Sequence, residues 1–195
     1  MTSTTSEHTA HHRDAAELAE GLEHVRLSPT DVGTVELLVV RPGVDERVVL
    51  TSVAISEEQG LEGDSWDQRP SRRTPDGGPN PAAKVTVMNA RAAALVAGER
   101  ERWPLAGDQV YADLDVSLDN LPTGTRLHLG DAILEVTDAP HTGCAKFSAR
   151  FGVDALRLTA TPEGKQLRLR GINTAVVRGG TVAVGDQVVV ERPAG

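Results

Sequence analysis

The chain contains two similar segments, Leu127-His128-Leu129-Gly130-Asp131-Ala132-Ile133-Leu134 and Val182-Ala183-Val184-Gly185-Asp186-Gln187-Val188-Val189. In each of them, Gly-Asp separates two runs that are rich in aliphatic residues. This dipeptide suits a tight turn, because glycine adopts positive φ without strain. Each segment therefore predicts a β-hairpin. The similarity between the two is too short to indicate an internal duplication.

Short segments rich in β-branched residues extend this pattern along most of the chain. Strands are predicted at residues 34–40, 47–55, 84–88, 125–129, 132–137, 166–170, 174–178, 181–184 and 187–191. Because so many strands are accompanied by few helices, the sequence predicts a mainly β fold, a barrel with a few short helices.

Two helices are indicated by residues suited to N-capping. Asp14 precedes a segment that runs to residue 26 and places its apolar residues on one face. Asn89 follows a predicted strand and precedes the alanine-rich segment 90–97. We therefore predict an N-terminal helix and a second helix that begins after Asn89.

Composition divides the chain into three parts. Residues 1–13 are rich in Ser, Thr and His without apolar periodicity, which predicts a disordered tail. Residues 14–33 hold the N-terminal helix and a linker, and residues 34–195 are predicted to form a single barrel domain. Within that domain, the stretch between Trp66 and Pro81 is rich in Pro, Gly and Arg and predicts a long surface loop.

The net charge of the chain is −8. This charge disfavours nucleic acid or an anionic membrane surface as a partner. Residues 1–30 contain no apolar segment typical of a signal peptide, and no apolar run in the sequence is long enough to span a membrane. We therefore expect a cytoplasmic protein in which any anionic ligand binds at a local basic patch.

Cys144 is the only cysteine, and it precedes a predicted helix at residues 145–151. A thiolate is favoured by a nearby helix N-terminus and by cationic groups, here Lys146 and a protonated His141. Because exposure decides reactivity, the spacing is compatible with a reactive thiol and equally with a small buried side chain.

An ordered set of motifs runs from Gly60 to the C-terminal strands. The motifs are Gly60-Leu61-Glu62-Gly63-Asp64, Val85-Thr86-Val87-Met88-Asn89, Leu121-Pro122-x-Gly124-x-Arg126-Leu127-x-Leu129-Gly130, Ile133-Leu134-Glu135-Val136-Thr137 leading to Cys144, and Arg170-Gly171-Ile172-Asn173 through Gly185-Asp186. In this order they resemble a MOSC domain, the module named for the C-terminal region of molybdenum cofactor sulfurases.

The resemblance, which is to the small standalone bacterial members, implies a β-barrel similar to that of pyruvate kinase. It also implies a site at Cys144, which aligns with the cysteine of the family. In related proteins this cysteine is thought to carry sulfur as a persulfide or to ligate molybdenum in a pterin cofactor. A cysteine desulfurase would be a suitable sulfur donor. Pyridoxal phosphate is not expected, because the resemblance does not include the domain that binds it in the larger sulfurases.

A molybdopterin-type cofactor carries a phosphate, so arginines and nearby polar or aromatic residues are candidates for binding it. The candidates are Asn89, Arg91, Arg72, Arg73, Arg170, Asn173, Asp64 and Trp66. Each has an ordinary structural alternative, as a solvated arginine, a cap or turn residue, or an apolar anchor. The resemblance thus implies a sulfur transferase or a cofactor-dependent oxidoreductase, with Cys144, His141 and Lys146 as its reactive group.

Other classes of function have weaker support. His141 precedes Cys144 by three residues, but cysteine hydrolases usually draw their histidine from a distant segment. One cysteine and scattered histidines do not form a zinc ligand set, and no GxxxxGK[ST] phosphate loop is present. The main alternative is a non-catalytic barrel module that binds a small anion or a partner protein, with Cys144 packed as a structural residue.

Overall fold

The computed structural model describes residues 12–193 of the chain. The predicted tail therefore lies outside the described residues, apart from its last two. Helices are α1 (Ala15–Arg26), α2 (Ala90–Ala97), α3 (Ala145–Phe151), α4 (Val153–Ala160) and α5 (Pro162–Gln166). Strands are β1 (Val32–Val40), β2 (Val48–Leu50), β3 (Ser52–Ser56), β4 (Gly60–Leu61), β5 (Val85–Asn89), β6 (Val110–Asp113), β7 (Arg126–Leu129), β8 (Ala132–Val136), β9 (Ile172–Arg178), β10 (Gly180–Ala183) and β11 (Gln187–Glu191). Short 3₁₀ helices lie at Trp66–Gln68, Pro81–Ala83 and Arg100–Ala106.

Seven strands close into a barrel in the order β11-β7-β8-β9-β5-β6-β1, and β1 pairs with β11 to complete the ring. Only β5 and β6 run parallel within this ring, so the barrel is mixed. Strand β2 adds to β1, and a small second sheet has the order β10-β3-β4. The predicted mainly β barrel with short helices is confirmed.

Apolar side chains form two clusters, one inside the barrel and one between the barrel wall and the helices. Strand β1 contributes to both clusters, because Leu38 and Val40 point inward while Leu37 and Val39 face the helices. A strand that is covered on both faces needs a continuous apolar run, and Leu37-Leu38-Val39-Val40 is such a run. Helices α1 to α4 pack on this outer face.

Several elements that were predicted from short sequence motifs are present in the structure. The first Gly-Asp segment forms the predicted hairpin, in which β7 pairs with β8 and Leu127 lies opposite Leu134. Asp14 caps α1 in a capping box with Glu17, and Asn89 caps α2 through its side-chain oxygen. No helix in the range 12–193 combines the length and the apolar character that crossing a membrane requires.

The second Gly-Asp segment is not a hairpin. Its turn forms, and Asp186 accepts a hydrogen bond from the Ala183 amide. The two strands then diverge, because β10 pairs with β3 while β11 pairs with β1 and β7. Both Gly185 and Asp186 also exchange backbone hydrogen bonds with Val35 of β1. The turn therefore sends the chain from the small sheet into the barrel.

Two strand predictions were also wrong in detail. Segment 47–55 divides into β2 and β3, which belong to different sheets. Segment 166–170 is not a strand. The Thr161 side chain accepts a hydrogen bond from the Gly164 amide and caps α5, which extends to Gln166, and the residues that follow form turns. Arg168 there has a φ of 46°, which is incompatible with a strand. Strands β4 and β6 were missed altogether.

Gly171 brings the start of β9 close to β5. Its φ is +94°, and an alanine Cβ at this position would lie 2.6 Å from the carbonyl oxygen of Val87. Gly185 has a nearly identical φ of +95° but nothing within 4 Å of the same added atom. A substitution at Gly185 would therefore introduce backbone strain alone, whereas the same substitution at Gly171 would introduce backbone strain and a steric clash.

We predict that Gly171→Ala lowers the free energy of unfolding by about 1–3 kcal/mol more than Gly185→Ala does. Both substitutions place a Cβ at positive φ, but only the first also forces atoms apart. Urea denaturation of the two variants and the parent chain measures the difference. Equal losses would show that the contact with Val87 is not a packing constraint.

Candidate functional site

The segment between β8 and α3, residues 137–144, has no regular structure and is tied to β9. Thr137 donates its hydroxyl to the carbonyl oxygen of Asn173 over 3.2 Å, and the Asn173 amide donates to Ala139 over 3.1 Å. The segment ends at Cys144, which occupies the N-cap position of α3 in extended conformation with φ of −132°. The thiol is exposed and makes no capping hydrogen bond. Cys144 is therefore open to solvent, and not a packed core residue.

A cavity of about 440 Å³ lies on one side of this segment, and we call it the large cavity. Residues 137–143 form one wall, and residues from α4, α5 and the start of β9 form the others. Its lining includes the apolar residues Leu118, Pro140, Leu156 and Ile172 and the polar residues His141, Lys165, Arg168, Arg170 and Asn173. Its volume falls within the range of small-molecule sites.

Two smaller depressions share Arg69, and together we call them the basic groove. One of about 350 Å³ is lined by Arg47, Arg69 and Lys146 among others. The other, of about 260 Å³, includes Arg41, Trp66, Arg69, Arg73 and Asn80. Arg69 borders both depressions, while Pro140 and Asn173 border the second depression and the large cavity alike.

Cationic groups outnumber carboxylates around the basic groove. Arg41 forms a buried ion pair with Asp64, whose oxygens lie 2.9 and 3.0 Å from the guanidinium nitrogens. Arg47 and Arg69 have no carboxylate within ion-pair distance among residues 12–193. Burial and neighbouring guanidinium groups lower the pKa of both, yet arginine stays protonated in proteins. The groove therefore carries uncompensated positive charge in an acidic chain.

A buried charge network underlies the large cavity. Arg170 pairs with Asp108, which is fully buried, and donates to the carbonyl oxygen of Ala106 over 2.8 Å. Its guanidinium carbon lies 5.2 Å from the centre of the Phe147 ring in α3. His141 Nδ1 lies 3.5 Å from the other Asp108 oxygen, but the geometry is not that of a hydrogen bond. The Asp108 carboxylate, which precedes β6, thus lies between Arg170 and His141 of the segment 137–144, which we call the cysteine segment.

A sequence profile of the MOSC domain matches residues 80–189. The chain belongs to the MOSC domain family. Among solved structures, the YuaD protein from Bacillus subtilis is similar with a TM-score of 0.62 and 17% identity, over 84% of this chain and 97% of that one. YiiM from Escherichia coli is similar with a TM-score of 0.53 and 17% identity, over 83% of this chain and 71% of that one. Identities this low support the fold alone. No curated protein sequence matches the chain.

The neighbours of Cys144 in the sequence do not supply the free positive charge that was predicted for them. Burial, and after it the charge of Arg170, lowers the pKa of His141 to about 4, so this imidazole is neutral at neutral pH. Lys146 pairs with both oxygens of Asp45 at 2.9 and 3.0 Å. The charge expected from His141 is therefore absent and that of Lys146 is compensated by Asp45, whereas cations without a carboxylate partner line the basic groove.

Four of the other predicted site residues lie at the large cavity or the basic groove, and the remaining four do not line either of them. Trp66, Arg73, Arg170 and Asn173 border the large cavity or the basic groove. Asp64 lies beneath the groove with its carboxylate engaged by Arg41, and Arg72 is exposed outside both linings.

Asn89 and Arg91 do not reach the cysteine segment. The Asn89 side chain caps α2 and donates to Ser28. Arg91 pairs with Asp113 at 2.7 Å and borders a separate shallow depression with His24. Their side chains serve the packing of α1 and α2 on the barrel.

Sequence reasoning missed Arg47, Asp108 and Lys165. Asp108 was noted only as half of a Gly-Asp turn signal, and its partner Arg170 lies 62 residues away. Arg47 and Lys165 look like ordinary exposed cations. Within residues 12–193, no three His, Cys, Asp or Glu side chains converge on a metal-binding geometry.

We predict that Asp108→Asn lowers the free energy of unfolding by about 3–5 kcal/mol, because it leaves the buried Arg170 charge uncompensated. Asp45→Asn is the matched control, since Asp45 also pairs with cations but its side chain is 54% exposed. It should cost far less, because solvent screens exposed ion pairs. Urea denaturation of both variants tests this, and similar losses would argue against a structural role for the buried pair.

We predict that His141 makes the domain lose stability as the pH falls from 6.5 towards 4. In this range the unfolded chain binds a proton at an ordinary histidine pKa, whereas folded His141 stays neutral because its pKa is about 4. The loss attributable to this group reaches about 3 kcal/mol at pH 4.

The measurement is urea denaturation at several pH values for the parent, His141→Gln and His128→Gln. His128 pairs with Glu191 on the outside of the barrel and controls for removal of an imidazole. Only His141→Gln should flatten the pH dependence. An unchanged slope in that variant would mean that His141 is not held neutral.

Proposed function

We propose that this MOSC domain binds a molybdopterin-type cofactor, with the Cys144 thiolate as molybdenum ligand and the basic groove as the binding surface for its phosphate. The observation that carries the proposal is the exposed thiol on a segment that borders both the groove and the large cavity. A buried thiol would have favoured the structural alternative. The MOSC family itself is known for proteins like the molybdenum cofactor sulfurases.

The donor types in the groove fit an anionic cofactor. Arg69 is half-buried, and among residues 12–193 its guanidinium donates only to Ser65 Oγ, over 3.3 Å. Most of its donors are thus available, and a guanidinium can hold phosphate with paired hydrogen bonds. Arg47 and Arg73 border the same groove. The side chain of Trp66 also lines it, although Lys84 lies 4.7 Å from the centre of its ring.

The thiolate is the soft ligand that a thiophilic metal prefers. A bound molybdenum centre would supply redox chemistry, while the chain supplies position and charge. Arg69 and Arg47 would fix the anionic end of the cofactor. Phe147 and Phe151, which are both buried, anchor the helix that begins after Cys144. The thiol would thus be presented from a fixed backbone.

Exposure of Cys144 favours a second function, that of a sulfur carrier. A carrier must meet its donor and acceptor directly, and an open thiol allows this. The Cys144 thiolate would attack the outer sulfur of a donor persulfide, such as that of a cysteine desulfurase. A new S–S bond forms on Cys144, the donor S–S bond breaks, and the donor thiolate leaves without net oxidation. Cations of the basic groove would stabilise the persulfide anion.

Mass spectrometry of the intact protein and metal analysis after purification without oxygen distinguish these functions. We predict bound molybdenum, or uptake of added molybdopterin cofactor, in the parent chain and a loss of at least tenfold in Cys144→Ser. Arg69→Gln should weaken cofactor binding by about tenfold or more, because it removes a charged hydrogen-bond donor. Arg100→Gln, which breaks an exposed pair with Glu36, is the control and should bind like the parent.

A sulfur adduct on Cys144 without molybdenum would select the carrier function. Parent protein that takes up neither metal nor sulfur from a persulfide donor would contradict both. Equal molybdenum content in the parent and in Cys144→Ser would exclude Cys144 as the ligand.

A further inference from the structure

The large cavity combines apolar walls with cations that have no carboxylate partner. Leu118, Leu156 and Ile172 supply apolar surface, and Leu118 is 45% exposed although it is a large aliphatic residue. Aliphatic surface left open inside a concave site favours an apolar ligand group, because covering it removes the surface from water. The cavity therefore suits a molecule with an apolar body.

Two cations on its wall, Lys165 and Arg168, differ from the ion-paired arginines of this chain. Arginines elsewhere commonly face a carboxylate, as in the pairs Arg91–Asp113 and Arg192–Asp31. Lys165 is exposed at the cavity and has no carboxylate within 4.0 Å among residues 12–193. Its charge is therefore available to an incoming anion.

Arg168 adds a second uncompensated charge. Its guanidinium donates to the carbonyl oxygens of Leu121 and Val116 at 2.6 and 3.5 Å, which satisfies hydrogen bonds without neutralising the cation. Its φ of 46° is a conformation that residues other than glycine seldom adopt. Strained residues of this kind gather at ligand sites, where the surrounding structure holds them in place.

The floor of the cavity has an unsatisfied donor. The Arg170 side chain is 10% exposed, and its Nε has no hydrogen-bond acceptor among the described residues. Its terminal nitrogens are already used by Asp108 and Ala106. Asp108 balances the charge of Arg170, so the positive excess at the cavity comes from Lys165 and Arg168.

We propose that the large cavity is a binding site for a small organic anion with an apolar body, which pairs its anionic group with Lys165 and places its body against Leu118, Leu156 and Ile172. This site is distinct from the cofactor surface of the basic groove and does not depend on Cys144, which does not line the cavity. A molecule bound there would lie against residues 137–143, next to the thiol.

The test uses two fluorescent probes of similar shape, the anionic 8-anilinonaphthalene-1-sulfonate and the neutral N-phenyl-1-naphthylamine, with the full chain. We predict saturable binding of the anion to one site. Lys165→Glu should weaken anion binding by about tenfold, because it replaces attraction by repulsion. Binding of the neutral probe should change by less than twofold.

Three further variants make the result specific. Arg157→Glu reverses a neighbouring α4 charge that is 73% exposed and does not line the cavity, and it should leave both probes unaffected. Ala160→Trp, at an exposed position on the cavity lining, should obstruct both probes. Cys144→Ser should bind both like the parent, which keeps this result separate from the cofactor experiment.

The proposal is overturned if the anion does not bind saturably, or if Lys165→Glu and Arg157→Glu have equal effects. It is also overturned if Lys165→Glu weakens binding of the anionic and the neutral probe equally, because the site would then not distinguish a charged ligand from a neutral one. Unchanged binding in Ala160→Trp would place the probes elsewhere on the surface.

Discussion

The ion pair between Asp108 and Arg170 is the interaction on which the site depends. It joins the segment before β6 to the segment before β9, beneath the large cavity. A fully buried carboxylate is stable only with its partner in place, so these two segments must meet in one arrangement. Phe147 packs on the same guanidinium, which carries the constraint into α3. The position of Cys144 thus follows from a contact made by neither the thiol nor its immediate neighbours.

The same pair explains how an acidic chain presents cationic sites. Arg41 and Arg170, the most buried arginines at the site, are neutralised by Asp64 and Asp108. These pairs serve structure and leave little net charge. The half-buried Arg69 and the exposed Lys165 lack such partners among the described residues, and their positive potential is therefore open to ligands. The buried ion pairs thus fix the structure around the groove and the cavity, and the less buried cations provide their positive charge.

Sequence signals predicted the elements whose causes are local. The hairpin of β7 and β8, the caps of Asp14 and Asn89, and the helix after Cys144 all follow from residues a few positions apart. The segment around Gly185 failed as a hairpin because the partners of its strands, β3 on one side and β7 on the other, are distant in sequence. Asp108 could not be assigned for the same reason. Its role comes from a residue that the barrel brings to it.

The exposed thiol and the ordered helix that follows it have a common cause. Phe147 and Phe151 face the core with ring centres 4.9 Å apart, and they hold α3 by one side only. Cys144 precedes this helix in extended conformation, outside that apolar face, so anchoring the helix does not bury the sulfur. The reactive role that we propose for Cys144 requires both a fixed position and open access. One buried aromatic face and one exposed cap provide them within eight consecutive residues, 144–151.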